Sequence, residues 1–258
     1  MTSKYKKNNL FVVCSGTKGV GKTWFSSVLC QSLSMLKQKV LFFDSDGGME
    51  NIAFQLNMEK SDLYAQMLKN RLTLNNAVRF CPKGHFDVIC AEPEKNNLSA
   101  YPVGRCQILV SDLKAFAVNY DQVVVDCSGV NQVLKNVFLE SADFIILLME
   151  PNLNGNIEAY KELEHIKKIS PHAKIFIVVN HALSYGEGEQ IFKTLLKADE
   201  QFICLNPKLL GVIKQDGRIR DCVVNKVTLF ERYPVCESLH DISNFAKKLI
   251  KGDEKDAL

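Results

Sequence analysis

Short apolar runs rich in β-branched residues recur along this chain, and no other feature limits its fold as tightly. LFVVCS (10–15), KVLFFD (39–44), FDVICA (86–91), QVVVDC (122–127), FIILLM (144–149) and KIFIVVN (174–180) are nearly continuous in hydrophobicity, and LLGVI (209–213) is a further short one. A strand with one wet face alternates apolar and polar residues, whereas a strand apolar at every position is buried on both faces. Longer patterns with helical spacing lie between the runs, over 22–36, 104–117, 155–169 and 187–198. This alternation implies right-handed crossovers and an α/β fold, a doubly wound, mostly parallel sheet of about seven or eight strands flanked by helices.

No linker, repeat or low-complexity block interrupts the pattern, so one domain over 10–251 is expected, between a short basic tail (1–9) and an acidic one (252–258). With 47% hydrophobic residues the chain can fill a core. A net charge of +3 gives no strong phosphate-neutralising field, so strong direct DNA binding is not expected. No apolar run approaches the roughly 18 residues that cross a bilayer. The first residues read as a tail followed by a strand rather than a secretory signal, so a cytoplasmic chain is expected. Its nine cysteines, never spaced CxxC, are expected to be reduced and to pack as small hydrophobes. Its five histidines form no ligand-spaced pair for a transition metal.

Gly16-Thr17-Lys18-Gly19-Val20-Gly21-Lys22-Thr23 satisfies G-x-x-x-x-G-K-[ST] between a predicted strand and a predicted helix. Glycines let backbone N–H groups approach phosphate oxygens with no Cβ in the way. The helix that follows points its positive end at the same anion. Lys22 neutralises phosphate charge and the Thr23 hydroxyl ligates Mg²⁺.

Two further strands end in acid. KVLFFD runs into DSDGGMEN, with Asp44, Asp46, Gly48 and Asn51. Carboxylates at the carboxyl end of a buried parallel strand point toward Mg²⁺ and a hydrolytic water; alone, the same residues would read as an Asx-rich turn capping the next segment. YDQVVVDCSG carries three valines to Asp126, the position of a second Mg²⁺ contact through water. Either signal is weak alone, and their order after the phosphate loop gives them weight.

The three motifs together resemble the MinD/ParA ATPases, P-loop NTPases of the SIMIBI group, and within them the FlhG/FleN (YlxH) regulators of flagellar number. The similarity runs from about Leu10 to Ile250 and includes SADFIILLMEPN, KIFIVVNH and LLGVIKQDGRIRDCVVNKVTLFERYP. It implies ATP and Mg²⁺ as cofactors. The nucleotide-binding set would be Gly16, Thr17, Lys18, Gly19, Val20, Gly21, Lys22, Thr23 and Trp24, with Asn180 and Asp216 near the base. Thr23, Asp46 and Asp126 would stand around Mg²⁺. Asp46 would orient the attacking water, making Asp46, Lys18 and Lys22 the catalytic set. The resemblance also implies an ATP-dependent homodimer and a protein partner such as a flagellar regulator or assembly factor.

The chain departs from that family in the loop. The family writes K-G-G-V-G-K-T, with a lysine that reaches the partner subunit's phosphates; here Thr17 takes that place and Lys18 replaces a glycine. Two readings stay open, a displaced cross-subunit charge or a solvated lysine with weak hydrolysis. After Asp126 the chain writes Cys127-Ser128-Gly129-Val130 in place of the family's small residues. The amphipathic pattern Leu239–Ile250 reads as core packing rather than a membrane face, so membrane association is not expected. A positioning ATPase for another cargo, or a nucleotide-binding scaffold, is the alternative to flagellar regulation.

Overall fold

The computed structural model describes residues 9–45, 52–58, 74–90, 102–127 and 131–255. Its strands are β1 (Asn9–Cys14), β2 (Val40–Asp44), β3 (Arg79–Cys81), β4 (Phe86–Cys90), β5 (Gln122–Asp126), β6 (Phe144–Met149), β7 (Lys174–Ala182) and β8 (Lys208–Lys214). They form one eight-stranded sheet in the order β3-β4-β2-β5-β1-β6-β7-β8, parallel throughout except where β3 runs against β4. The seven strands read from the sequence are all present. The missed strand is Arg79-Phe80-Cys81, three residues at the sheet edge with two of them exposed, too short and too polar to give a periodic signal.

The central strands β1, β2, β5 and β6 are buried at every position, as continuous apolar runs require. The helices that cover them are α1 (Lys22–Met35), α2 (Ile52–Gln55), α3 (Leu74–Ala77), α4 (Val103–Ala117), α5 (Gln132–Ser141), α6 (Leu153–Ile169), α7 (Tyr185–Ala198), α8 (Gly217–Asn225), α9 (Leu229–Arg232) and α10 (Glu237–Lys255). One face of the sheet packs mainly against α4, α5, α6 and α7. The other packs against α1 and α10, and α10 also lies over the edge strand β8. The amphipathic pattern Leu239–Ile250 is therefore a core-facing helix, with Leu239, Ile242, Phe245, Ala246 and Leu249 buried.

Helix α5 lies outside the four helical patterns read above, although Val133, Leu134, Val137 and Phe138 keep helical spacing; Lys135 stands among them and is itself buried. Side-chain caps mark several helix starts. Asn131, Asn152, Ser184 and Asp216 each accept a backbone N–H from the first turn, and Thr228 forms a reciprocal capping box with Glu231. Seven of the nine cysteines are buried in these cores and only Cys204 is exposed. No helix among the described residues is long and apolar enough to cross a membrane.

Candidate nucleotide-binding site

Register brings the chemistry to one edge of the sheet. Val13 of β1 pairs with Asp126 of β5, and Asp126 pairs with Asp44 of β2, so three strand ends lie side by side where the phosphate loop begins. This is the carboxyl edge of a doubly wound sheet, where ligands bind.

The loop from Ser15 to Gly21 turns through two left-handed glycines, Gly19 at φ 77° and Gly21 at φ 90°. A side chain is strained at either. Gly21 is the N-cap of α1, with no side chain capping the helix and no acid in its first turn. The N–H groups of Lys22, Thr23 and Trp24 thus lack an intrahelical acceptor and stand at the positive end of the helix. The Lys22 ammonium folds back on the loop and donates to Ser15 Oγ at 2.9 Å, while Ser15 Oγ donates to the Thr17 carbonyl at 2.6 Å. The Thr23 hydroxyl donates directly to Asp126 Oδ2. Asp126 is buried and its backbone carbonyl accepts from both the N–H and the hydroxyl of Ser45. A hydroxyl and a carboxylate already paired beneath a nest of backbone donors is a donor set suited to Mg²⁺ and phosphate.

Other expected residues are placed differently from one another. Lys18 and Gly19 are exposed on the loop, whereas Thr17 is half-buried. The Val20 side chain is buried and its carbonyl accepts from Asn180 Nδ2 at 2.8 Å. Asn180, only 1% exposed at the far end of β7, therefore braces the loop backbone. The Trp24 indole points into the core with Leu56, Val223 and Leu229, so only its backbone N–H faces the loop. Asp216 caps α8: Oδ1 accepts from the N–H and Nε of Arg218 at 3.0 and 2.8 Å, and Oδ2 from Ser238 Oγ at 2.9 Å. Burial opposes its ionisation, but the Arg218 and Ser238 hydrogen bonds outweigh it and hold its pKa below the ordinary 3.8. Asp44 accepts the Ile52 N–H at 2.8 Å, eight residues on, so its carboxylate satisfies a first-turn donor of α2. Asp46, Gly48, Asn51 and Ser128–Val130 lie outside the described residues.

Beneath the loop the structure adds residues that the motifs do not mark. An added Cβ on Gly16 would sit 2.3 Å from the Glu158 carbonyl, so α6 abuts the loop's first turn. One turn along α6, Glu162 forms an ion pair with Lys135 of α5 at 2.7 Å. Cys14 and Cys127, ending β1 and following β5, share this region. Burial pushes the Cys127 thiol up to about 12, with the Asp126 charge adding to the effect, and the Cys14 thiol also rises well above the ordinary range. Burial pulls the Lys135 ammonium down, but Cys14 and Glu162 outweigh it and its pKa lies above the ordinary value. The sequence signal for this pair was a lone lysine in the apolar stretch VLKNVFL.

Residues 11–179 match the family model of an AAA domain. The chain is 24% identical over 226 residues to the antiactivator FleN of Pseudomonas aeruginosa, covering 87% of this chain and 80% of that protein. It is 24% identical over 257 residues to the flagellum site-determining protein YlxH of Helicobacter pylori, covering 98% and 86%. Among solved structures, the septum site-determining protein MinD of Pyrococcus horikoshii, complexed with Mg-ADP, superposes with a TM-score of 0.77 at 17% identity, covering 94% of this chain and 96% of that one.

Proposed function

The chain belongs to the AAA-domain family that matches residues 11–179 and is a MinD/ParA-type ATPase near the FlhG/FleN branch, and on that footing we propose that it is a Mg²⁺-dependent, ATP-controlled dimerisation switch regulating flagellar number or placement in the cytoplasm through a protein partner. The observation that carries the reading is the Thr23–Asp126 hydrogen bond beneath the phosphate loop. It joins the two side chains that would stand on either side of Mg²⁺, in the order loop, then strand-end carboxylate, that a P-loop NTPase requires.

In this reading each residue has a definite task. The N–H groups of Gly19 to Trp24 bind phosphate oxygens, and the Lys22 ammonium exchanges the Ser15 hydroxyl for phosphate charge. Asn180 and Asp216 hold the base end, Asn180 also keeping the Val20 carbonyl turned out of the phosphate nest. Thr23, Asp126 and Asp46 would hold Mg²⁺, which would supply charge stabilisation for phosphoryl transfer. Asp46 orients the attacking water. Catalysis is then positioning and electrostatics rather than covalent chemistry. Thr17 cannot supply the charge that the related lysine carries, and in this reading Lys18, exposed on the loop, supplies it across the dimer.

The test is the solution mass of Asp46→Ala by light scattering in Mg-ATP and in Mg-ADP. Removing the water-orienting carboxylate traps the ATP state, so a dimer is expected with ATP alone. Lys18→Ala then returns that variant to monomer. A monomer in both nucleotides, with ATP shown to be bound, overturns the switch and leaves a nucleotide-binding scaffold with weak hydrolysis.

A further inference from the structure

We propose that the groove between α1, the β3–β4 turn and the start of α10 is a docking site for a short acidic, amphipathic segment of a protein partner. The proposal deepens the partner half of the reading above and rests on that half alone, since the groove lies within one subunit and uses no residue of the phosphate loop. The groove holds about 1210 Å³, more than the roughly 300–1,000 Å³ of a small-molecule pocket, so a polypeptide fits it better than a metabolite.

Its floor is apolar and its α1 wall is basic. Leu239 and Cys236 lie buried at the base, Phe230 is half-buried, and Met35 and Val235 stand 60% and 92% exposed. Exposed apolar residues scattered singly are ordinary, but these line one groove. Lys37, Lys83 and His85 line its other side. That wall is fixed in advance. Gln31 Nε2 donates to the Lys83 carbonyl at 2.9 Å and Ser34 Oγ to the His85 carbonyl at 2.6 Å, so α1 holds the β3–β4 turn. Lys83 Nζ donates to the Lys226 carbonyl at 2.9 Å, tying the same turn to the connection after α8. A wall already held by such bonds loses little freedom when it is occupied. The carboxylates of the groove are in use: Glu237 pairs with Lys214 at 2.8 Å, and Glu231 closes the capping box with Thr228. Arg218 is likewise taken by Asp216. Among the described residues neither Lys37 nor Lys83 has a carboxylate within ion-pair distance. Uncompensated positive charge beside an apolar floor is complemented by large apolar side chains flanked by Asp or Glu. A nucleic-acid backbone would meet the lysines and leave the floor uncovered.

The test is selection of random peptides of about twelve residues, displayed on phage, against the full chain without nucleotide, with counter-selection against Val235→Glu and Lys37→Glu. Both positions are exposed, so both variants are expected to fold and to bind Mg-ATP as wild type does. The enriched peptides are expected to be net acidic with at least one Leu, Phe or Trp. The most enriched of them, synthesised and labelled, is expected to bind either variant about tenfold or more weakly than wild type by fluorescence anisotropy. Neutral or basic enriched peptides overturn the proposal. So do peptides that bind wild type and both variants alike, which places them elsewhere on the surface, and so does a selection that enriches nothing. A variant that changes the solution mass of the chain makes the groove a contact between copies, which also overturns it. Nucleotide is absent throughout, so an Asp46→Ala variant that stays monomeric sinks the switch and leaves this result standing.

Discussion

Lys18 and Lys22 stand four residues apart, and the loop treats them oppositely. Lys22 is drawn in to Ser15, as a phosphate ligand would be, and Lys18 is left exposed, which suits a cross-subunit charge and a solvated lysine equally. Two other residues, equally buried, have their roles divided by their hydrogen-bond partners. Asp44 and Asp126 end neighbouring strands in register, yet Asp44 caps a helix and Asp126 takes the Thr23 hydroxyl. Sequence alone weighs those carboxylates alike. Burial also gives the site a pH signature. The unfolded Cys127 thiol releases its proton from 9.0 upward, whereas the folded one keeps it to about 12. Between those values the unfolded state binds fewer protons, so stability falls as pH rises, by up to about 1.4 kcal/mol per pH unit for one thiol. Under reducing conditions, urea midpoints at about pH 8 and about pH 10 are expected to separate less in Cys127→Ala than in wild type. An identical separation means that the thiol does not set the alkaline slope.

At the scale of elements, the edge strand β8 is the place where sheet and helix must fit most closely. An added Cβ on Gly211 would sit 2.1 Å from Phe245 Cε1, so the glycine makes room for the ring of α10. Lys248 from the same helix donates to the Leu210 carbonyl at 2.8 Å, occupying one acceptor of an otherwise open edge. Gly211→Ala is expected to destabilise by about 1–3 kcal/mol through overpacking. Adding Phe245→Leu should recover part of that loss, because the two changes share one contact. Strictly additive denaturation free energies would show that the ring moves freely. These elements also mark what was legible. Continuous apolar runs announced the buried strands and the glycine-lysine pattern announced the loop. The pattern failed at β3, which is short and exposed, and α5 was passed over although Val133, Leu134, Val137 and Phe138 keep helical spacing around the buried Lys135.

For the whole molecule, the two cores lie on opposite faces of one sheet and the site lies along its carboxyl edge, fed by loops from both faces. A ligand there that binds only the folded chain stabilises all of it. Mg-ATP at about a hundred times its Kd is expected to add about 2.7 kcal/mol, a rise of about 5–10 °C in Tm for a chain of this size. Chelating the metal should remove part of the rise in wild type, and Asp126→Asn should remove the metal-dependent part without added chelator. Calorimetry with ATP alone, with Mg-ATP and with neither decides it. A rise that ignores Mg²⁺ would exclude Asp126 from the metal site.

The sequence by itself determined the sheet, because burial on both faces demands apolar residues at every position, and it determined the phosphate loop, because left-handed turns near an anion demand glycine at fixed spacing. Both are local demands, written in consecutive residues. Only the tertiary structure decided that Asp44 serves a helix, that Asn180 braces a loop 160 residues away, and that Lys135 meets Glu162 under the site. Those roles depend on which strands and helices become neighbours, and a single polar side chain carries no record of the partner that burial will give it.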